Sequence, residues 1–77
     1  MNKERREILH KAVSLINDSI IKIRYACDSE QDAMDNVPEN MQGSERYCSM
    51  ENSVDHLEDA EKYLEDAIDS INYAINS

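Results

Sequence analysis

The amino-acid sequence predicts an all-α protein built as an antiparallel hairpin of two long helices. The chain has 77 residues but only one Gly and one Pro, which leaves too few turns for a sandwich, a barrel or a βαβ fold. Both helix breakers lie in the middle of the chain and separate two runs of similar length. Each run repeats its apolar residues every seven positions, as helices that pack along one another do. We therefore expect a single domain over residues 1–77.

The first run predicts a helix over about residues 3–36. Three series of residues recur at every seventh position and share one helical face, so this face is expected to pack on a partner helix. The series are Leu9, Ile16, Ile23 and Glu30; Ala12, Ser19, Ala26 and Ala33; and Val13, Ile20, Cys27 and Met34.

A turn is predicted over about residues 37–43. Val37 precedes Pro38, and a residue before proline is disfavoured in the α-helical region. Gly43 stands at the other end of this segment. A connection of this length is usual between two antiparallel helices.

The second run predicts a helix over about residues 44–76 with the same seven-residue pattern. Its series are Met50, Leu57, Leu64 and Ile71; Ser53, Ala60, Ala67 and Ala74; and Val54, Glu61, Ile68 and Ile75. The Ala or Ser at every seventh position is expected to remove bulk between the two helices and let them approach closely. Tyr47 continues the apolar stripe towards the turn and is expected in the core. Glu61 interrupts the stripe, so either its head group reaches solvent or it specifies a register or a partner.

Apolar residues outside the stripe predict association between chains. The predicted dimer face consists of Ile8, Leu15 and Ile21, which lie off the stripe and which the hairpin has no room to cover, together with Ala12 of the stripe. An apolar surface on a scaffold with a marginal core favours association. We expect two hairpins to pair into a homodimeric four-helix bundle, while a different protein that covers the same face fits the sequence equally well.

The charge of the chain is unevenly distributed. The net charge of −9 divides into +3 over residues 1–24 and −12 over residues 25–77. The basic start is expected to lie beside the negative C-terminal pole of the second helix. Seven acidic residues of the second helix fall off the apolar stripe and are expected to be exposed; we call them the acidic face. They are Glu51, Asp55, Glu58, Asp59, Glu65, Asp66 and Asp69.

Two interpretations of the acidic face are open. It is either a surface that confers solubility or a docking surface for a basic partner, and one form of docking imitates the phosphate array of DNA. Tyr63 and Tyr73 lie off the stripe and are the candidate contact aromatics, because Tyr is enriched at interfaces. Direct binding of nucleic acid is not expected, since neutralising phosphates requires Lys and Arg.

Other classes of protein are disfavoured by size and by the absence of motifs. A chain this short has no room for a cleft and its scaffold, and no nucleophile stands in a spaced catalytic constellation, so neither an enzyme nor a bound cofactor is expected. Glu7 and His10 have the Glu-x-x-His spacing of di-metal bundles. His56 has no Glu three residues before it, so the chain has no second Glu-x-x-His motif, and His10 is expected to point away from the stripe. No metal site is therefore expected.

The charged start of the chain, its lack of long apolar runs and its two cysteines indicate processing and compartment. Residues 1–10 are too charged for a signal peptide, so none is expected. No apolar run reaches the length of a membrane helix, and a cytoplasmic location is expected. Cys27 and Cys48 lack the spacing of a disulfide framework or a zinc site. Both are expected to be small buried hydrophobes.

The segment around the predicted turn resembles a family of phage proteins. Residues 35–46 run Asp-Asn-Val-Pro-Glu-Asn-Met-Gln-Gly-Ser-Glu-Arg, followed by Met50-Glu51 and the segment 54–60. This block is similar to one in small acidic helical proteins of phages and prophages of low-GC Gram-positive bacteria, a family without an assigned activity. The resemblance implies a phage setting but no site residues. In that setting small acidic helical proteins often occupy a host protein, as anti-CRISPR proteins and restriction inhibitors do.

Three functions are therefore hypotheses. The first is a phage-encoded acidic module that binds a host protein and inhibits or redirects it, with the host-cell cytoplasm as its location. The second is a structural or assembly protein that docks through its apolar face. The third is a sponge for a signalling nucleotide, whose phosphates would be held by Arg5, Arg6, Lys11, Lys22 and Arg24.

Overall fold

The computed structural model describes all 77 residues and confirms the predicted fold class. Helix α1 spans Lys3–Asp35, a single 3₁₀ turn spans Glu39–Met41, and helix α2 spans Glu45–Ile75. The two helices pack against each other as an antiparallel hairpin. The helix ends lie within one residue of the expected ones. Neither helix has an apolar stretch sufficient to cross a membrane.

Side-chain caps fix where each helix begins. The side-chain Oδ1 of Asn2 accepts a hydrogen bond from the Arg5 amide at 2.8 Å, and the Ser44 hydroxyl accepts one from the Tyr47 amide at 3.2 Å. Each cap satisfies one of the amides that the first helical turn leaves without a partner. The turn between the helices needs no left-handed residue, because no residue has a positive φ. Gly43 therefore has an ordinary backbone conformation, and the space around it is open.

The hairpin is a rod with a thin core. Its Cα atoms extend 59 × 15 × 13 Å, and its radius of gyration is 17.5 Å, against about 11–12 Å for a compact domain of this length. Buried side chains run along the whole rod but number only five: Ile20, Cys27, Met34, Val54 and Ile75. A two-helix hairpin can bury only one stripe per helix, so most of the remaining surface stays in water.

The predicted apolar stripes meet between the helices, and we call the residues that meet there the seam. All are buried or half-buried, and Tyr47 extends the line beside the turn as expected. The core cluster joins Cys27 and Met34 of α1 to Val54 of α2. The seam residues are Leu9, Val13, Ile16, Ile20, Ile23, Cys27, Glu30 and Met34 on α1, and Met50, Val54, Leu57, Glu61, Leu64, Ile68, Ile71 and Ile75 on α2.

Two expectations about small residues are wrong, the first of them in part. Ser19, Ala26, Ala33 and Ser53 are exposed rather than placed between the helices, whereas Ala12, Ala60, Ala67 and Ala74 are half-buried. All eight stand one residue before a seam residue and so lie about 100° around the helix, at the border of the seam. Cys48 is exposed, and only Cys27 is a buried thiol. Cys48 directly follows Tyr47, which is the residue that occupies the line of the seam at that point.

Candidate functional site

The two sides of the hairpin differ in chemistry because of a regular order in the sequence. In both helices, the residue before a seam residue is mostly small, and the residue after it is mostly polar or charged. We call the first set the small-residue flank and the second the polar flank. The small-residue flank comprises Ile8, Ala12, Leu15, Ser19, Lys22, Ala26, Ser29 and Ala33 on α1, and Ser49, Ser53, His56, Ala60, Tyr63, Ala67, Ser70 and Ala74 on α2. The polar flank comprises His10, Ser14, Asn17, Ile21, Arg24, Asp28, Gln31 and Asp35 on α1, and Glu51, Asp55, Glu58, Lys62, Glu65, Asp69, Asn72 and Asn76 on α2.

Each flank occupies one side of the whole hairpin rather than opposite sides of its two helices. In antiparallel helices of the same hand, residues offset from the seam in the same rotational sense lie on the same side of the pair. Arg24 and Glu65 have the same offset, since each stands one residue after a seam residue, and their side chains meet at 2.7 Å. The polar positions of α1 and α2 therefore share one side, and the small positions share the other.

The acidic face lies on the polar flank and continues onto the back of α2. All seven of its residues are exposed, as the sequence predicted. Five of them directly follow seam residues, whereas Asp59 and Asp66 lie one residue further around the helix. From Glu51 to Asp69 the face extends about 27 Å at a rise of about 1.5 Å per residue. Lys62 is the only cation that α2 places within this length.

One cation from α1 is built into the acidic face. The Arg24 guanidinium donates through Nε to Glu61 and through Nη2 to Glu65, the latter at 2.7 Å. The Glu61 carboxylate, and secondarily Glu65, raises the pKa of Arg24 above its ordinary value. Glu61, the residue that interrupts the apolar stripe, is thus half-buried and paired across the hairpin. The pair joins the two helices across the seam, and whether it specifies their register stays a prediction.

The basic end of α1 is also used within the fold. The Arg6 Nε donates to the Ile75 carbonyl oxygen at 3.1 Å, so a cation sits at the negative C-terminal pole of α2 as expected. With Arg6 and Arg24 engaged inside the hairpin, the candidate phosphate-binding cations without a hydrogen bond of this kind are Arg5, Lys11 and Lys22.

The candidate contact aromatics are both exposed but lie in different surroundings. Tyr73 is 80% exposed and stands four residues after Asp69, so it continues the acidic face towards the end of α2. Tyr63 is 67% exposed and belongs to the small-residue flank. The sequence interpretation gave no role to Tyr25, which is 79% exposed and follows Ile21 by four residues. Two exposed apolar side chains four residues apart form a local patch on a helix, and this spacing could have been found in the sequence.

The predicted dimer-face residues do not all share one face. Ile8 is 58% exposed and Leu15 is 67% exposed, and both lie on the small-residue flank together with the half-buried Ala12. Ile21 is 62% exposed but follows Leu15 by six residues, which turns it about 120° away around α1. It belongs to the polar flank, near Arg24.

The remaining reactive groups are dispersed. His10 and His56 are exposed, and no three His, Cys, Asp or Glu side chains are grouped so that they could hold a metal ion. Burial raises the pKa of the Cys27 thiol, and the nearby carboxylates of Glu58, Asp28 and Glu61 act in the same direction. The Cys27 S–H donates to the Val54 carbonyl oxygen at 3.9 Å. Cys27 is therefore held as a neutral, packed thiol.

A shallow groove of about 330 Å³ lies beside the turn. It is framed by the apolar side chains of Val37, Pro38 and Met41 and by Tyr47, with Arg46 at its edge. It lies at the turn end of the rod, beyond both the acidic face and the exposed pair Ile8 and Leu15.

Comparisons of the chain with protein-family models, with curated proteins and with solved structures found no match. Fold and surface alone define the class of this protein: an all-α helical hairpin with one charged side and one small-residue side. The resemblance of the turn segment to phage proteins rests on the sequence alone.

Proposed function

We propose that this protein is a small, phage-encoded acidic binding module that occupies a basic host protein and inhibits or redirects it in the host-cell cytoplasm. The observation that carries the proposal is the acidic face. Seven exposed carboxylates lie along about 27 Å of α2, with one cation of α2 among them and one carboxylate, Glu65, held by Arg24.

The arrangement of these charges favours docking over solubility alone. A helix selected only for stability would mix its charges, because like charges four residues apart destabilise it. Glu51 and Asp55, and Asp55 and Asp59, are such pairs, and α2 keeps them without an intervening cation. A rigid array of negative charge speeds encounter with a positive surface. A host protein that binds nucleic acid offers such a surface, so the acidic face would stand in for a phosphate backbone.

A charge-matched pair of variants tests this proposal by affinity capture from bacterial lysate with mass spectrometry. The first variant neutralises the acidic face with E51Q, D55N, E58Q and D69N. The control neutralises four exposed carboxylates elsewhere with E7Q, D18N, D32N and E39Q. Removing four negative charges takes the net charge of each variant from −9 to −5, so any difference between them reports position rather than total charge.

We expect the wild type and the control to retain the same basic nucleic-acid-binding proteins, and the face variant to lose them. Retention should fall as salt rises, because exposed charge pairs are screened, and added DNA should compete for the captured protein. Equal retention by the two variants, or a partner that stays bound at high salt, would count against the acidic face as the docking surface.

The structural or assembly function remains the second candidate, favoured by the exposure of Ile8 and Leu15. It requires that the isolated chain fold poorly until its partner covers these residues. A cooperative thermal unfolding transition of the purified chain alone would argue against it.

The nucleotide sponge has the weakest support, since Arg6 and Arg24 are engaged within the hairpin. Its test is a panel of cyclic nucleotides. An unchanged melting temperature across the panel would remove it, because a ligand that binds only the folded state raises stability.

A further inference from the structure

We infer that the small-residue flank is the surface on which a second copy of this chain packs, with α1 of each copy lying along α2 of the other. The inference concerns the side of the hairpin opposite the polar flank. It needs no basic partner and is tested separately from the proposed function.

The chemistry of the flank is that of a buried surface, although the hairpin leaves twelve of its sixteen residues exposed and the other four half-buried. Of its sixteen residues only Lys22 carries a formal charge. Two large aliphatic side chains, Ile8 and Leu15, are more than half exposed on it. The flank runs the length of a rod 59 Å long. A specific association buries several hundred Å² on each partner, about 800 Å² in standard interfaces, and a surface of this length can supply it.

The spacing of large and small residues on the flank fits a second copy. Cys27 contacts Val54 and Arg6 contacts Ile75, which shows which residues of α1 and α2 lie level along the rod. By this register Ala74 is the flank residue of α2 nearest to the level of Ile8, and Ala67 is the one nearest to the level of Leu15, each within one residue or about 1.5 Å. When the second copy is related by a two-fold axis along the rod, α1 faces α2 of that copy at the same level. Ile8 and Leu15 then pack over alanines of the second copy.

The same relation holds along the rest of the flank. Tyr63 lies within one residue of the level of Ser19, and His56 within one residue of the level of Ala26, so each larger side chain of α2 meets a small residue of α1 from the second copy. No level pairs two large side chains. Because the axis is two-fold, every such contact is made twice, which is the self-complementarity that an isologous interface requires.

The charges of the two helices select this arrangement over its alternative. A two-fold axis across the rod would place α1 on α1 and α2 on α2 of the second copy. Helix α1 carries a net charge of −1 and helix α2 a net charge of −7. The alternative sets the strongly acidic α2 helices of the two copies side by side. Packing α1 along α2 instead places the two α2 helices at diagonal corners of the four-helix bundle. The turns of both copies then lie at the same end.

Two matched lysine variants test the surface by sedimentation equilibrium. We expect the wild type to sediment at twice its chain mass of 8.9 kDa. L15K places a charge in the proposed interface and should raise the dissociation constant by at least about 100-fold, since burying an unpaired charge is strongly unfavourable. I21K makes the same change at an equally exposed Ile on the polar flank and should change the dissociation constant by less than about 3-fold.

A further variant, A67L, tests the same interface independently, in case L15K dissociates only because it is unfolded. A67L keeps a good helix former but fills the space that Leu15 of the second copy needs, so it should also weaken the dimer by at least about 10-fold. Helix content by circular dichroism verifies that each variant is folded. A wild-type chain that stays monomeric at about 100 μM, or an equal shift in L15K and I21K, overturns the proposal and assigns the flank to a different protein.

The exposed Cys48 reports the orientation. Spin labels on Cys48 should lie within about 30 Å of each other when both turns are at one end of a four-helix bundle with interaxial distances of about 8–10 Å. The alternative arrangement separates them by about 40 Å along the rod at about 1.5 Å per residue, and that distance would overturn the packing of α1 on α2. A C48S chain, in which only the buried Cys27 remains, should stay unlabelled.

Discussion

The two flanks of the hairpin have the same length, the same helices and the same backbone geometry, yet one of sixteen residues is charged on the small-residue flank and nine of sixteen are charged on the polar flank. The difference arises from position relative to the seam alone. A residue before a seam residue turns to one side, and a residue after it turns to the other. A seven-residue repeat thus specifies three surfaces at once: the seam, a side suited to close packing and a side suited to charge.

Under the two proposals above, the two sides of the hairpin would have separate tasks. Close packing needs small residues with a few protruding apolar ones, whereas docking on a basic surface needs carboxylates that stay in water. Placing both on one side would bury the carboxylates at the cost of their hydration. Their separation would allow the same small chain to bind both the second copy and the basic partner that we propose.

The seam that divides the flanks should give the largest mutational effect. Ile20 is 5% exposed and its neighbour Ile21 is 62% exposed. I20D buries a carboxylate without a partner and should destabilise the hairpin by about 4 kcal/mol or more. I21D, one residue on, should change stability by less than about 0.5 kcal/mol. Denaturant unfolding followed by circular dichroism measures both, and similar losses in the two variants would mean that the seam is misplaced.

The ion pairs that join α1 to the acidic face should have a smaller effect. R24Q leaves the half-buried Glu61 without its partner and releases Glu65, so the melting temperature should fall. The loss should shrink at high salt, because the pairs are partly exposed and therefore screened. K22Q removes the same charge two residues earlier, where the structure has no ion pair, and should lower the melting temperature less. An equal decrease in R24Q and K22Q would show that Arg24 contributes only through net charge.

Much of this organisation could be predicted from the sequence. The lone Pro and Gly located the turn, and the seven-residue repeat located both helices and the stripe that each buries. The same repeat does not show on which side of the seam its small residues lie: it places all eight between the helices, but Ser19, Ala26, Ala33 and Ser53 are exposed. Their place depends on the exact centre of the stripe, because a shift of one residue turns a side chain by about 100°.

The site was harder to predict than the fold for a related reason. The acidic face lies on a single helix, so spacing alone located it. The pairing of Arg24 with Glu61 and Glu65 joins residues 37 and 41 positions apart, and only the register of the hairpin brings them together. Ile21 was grouped with Leu15 because both are off the seam, although they face different sides. The packed structure is needed to show which residues of the two helices meet and to which side of the hairpin each exposed residue points.

The smallest predicted effect is a pH dependence at the point where the polar flank borders the core. Burial raises the pKa of Cys27 above its ordinary value of 9.0, and Glu58 and Asp28 of the polar flank add to the rise. The folded state therefore favours the neutral thiol. Its contribution to stability is present in full below pH 9 and is lost as pH rises through the raised pKa of the folded state.

Comparison of two variants isolates the contribution of Cys27 from other effects of alkaline pH on stability. C27V keeps an apolar side chain at the seam but cannot ionise, so its stability should fall less than that of the wild type between about pH 8.5 and pH 10.5. C48S removes the exposed thiol and should follow the wild-type curve. Because the carboxylates of the polar flank act on Cys27 through space, E58Q should reduce the wild-type dependence without abolishing it, since burial is the larger cause. Parallel curves for C27V and the wild type, measured by denaturant unfolding at each pH, would mean that Cys27 takes up no more protons in the folded chain than in the unfolded one.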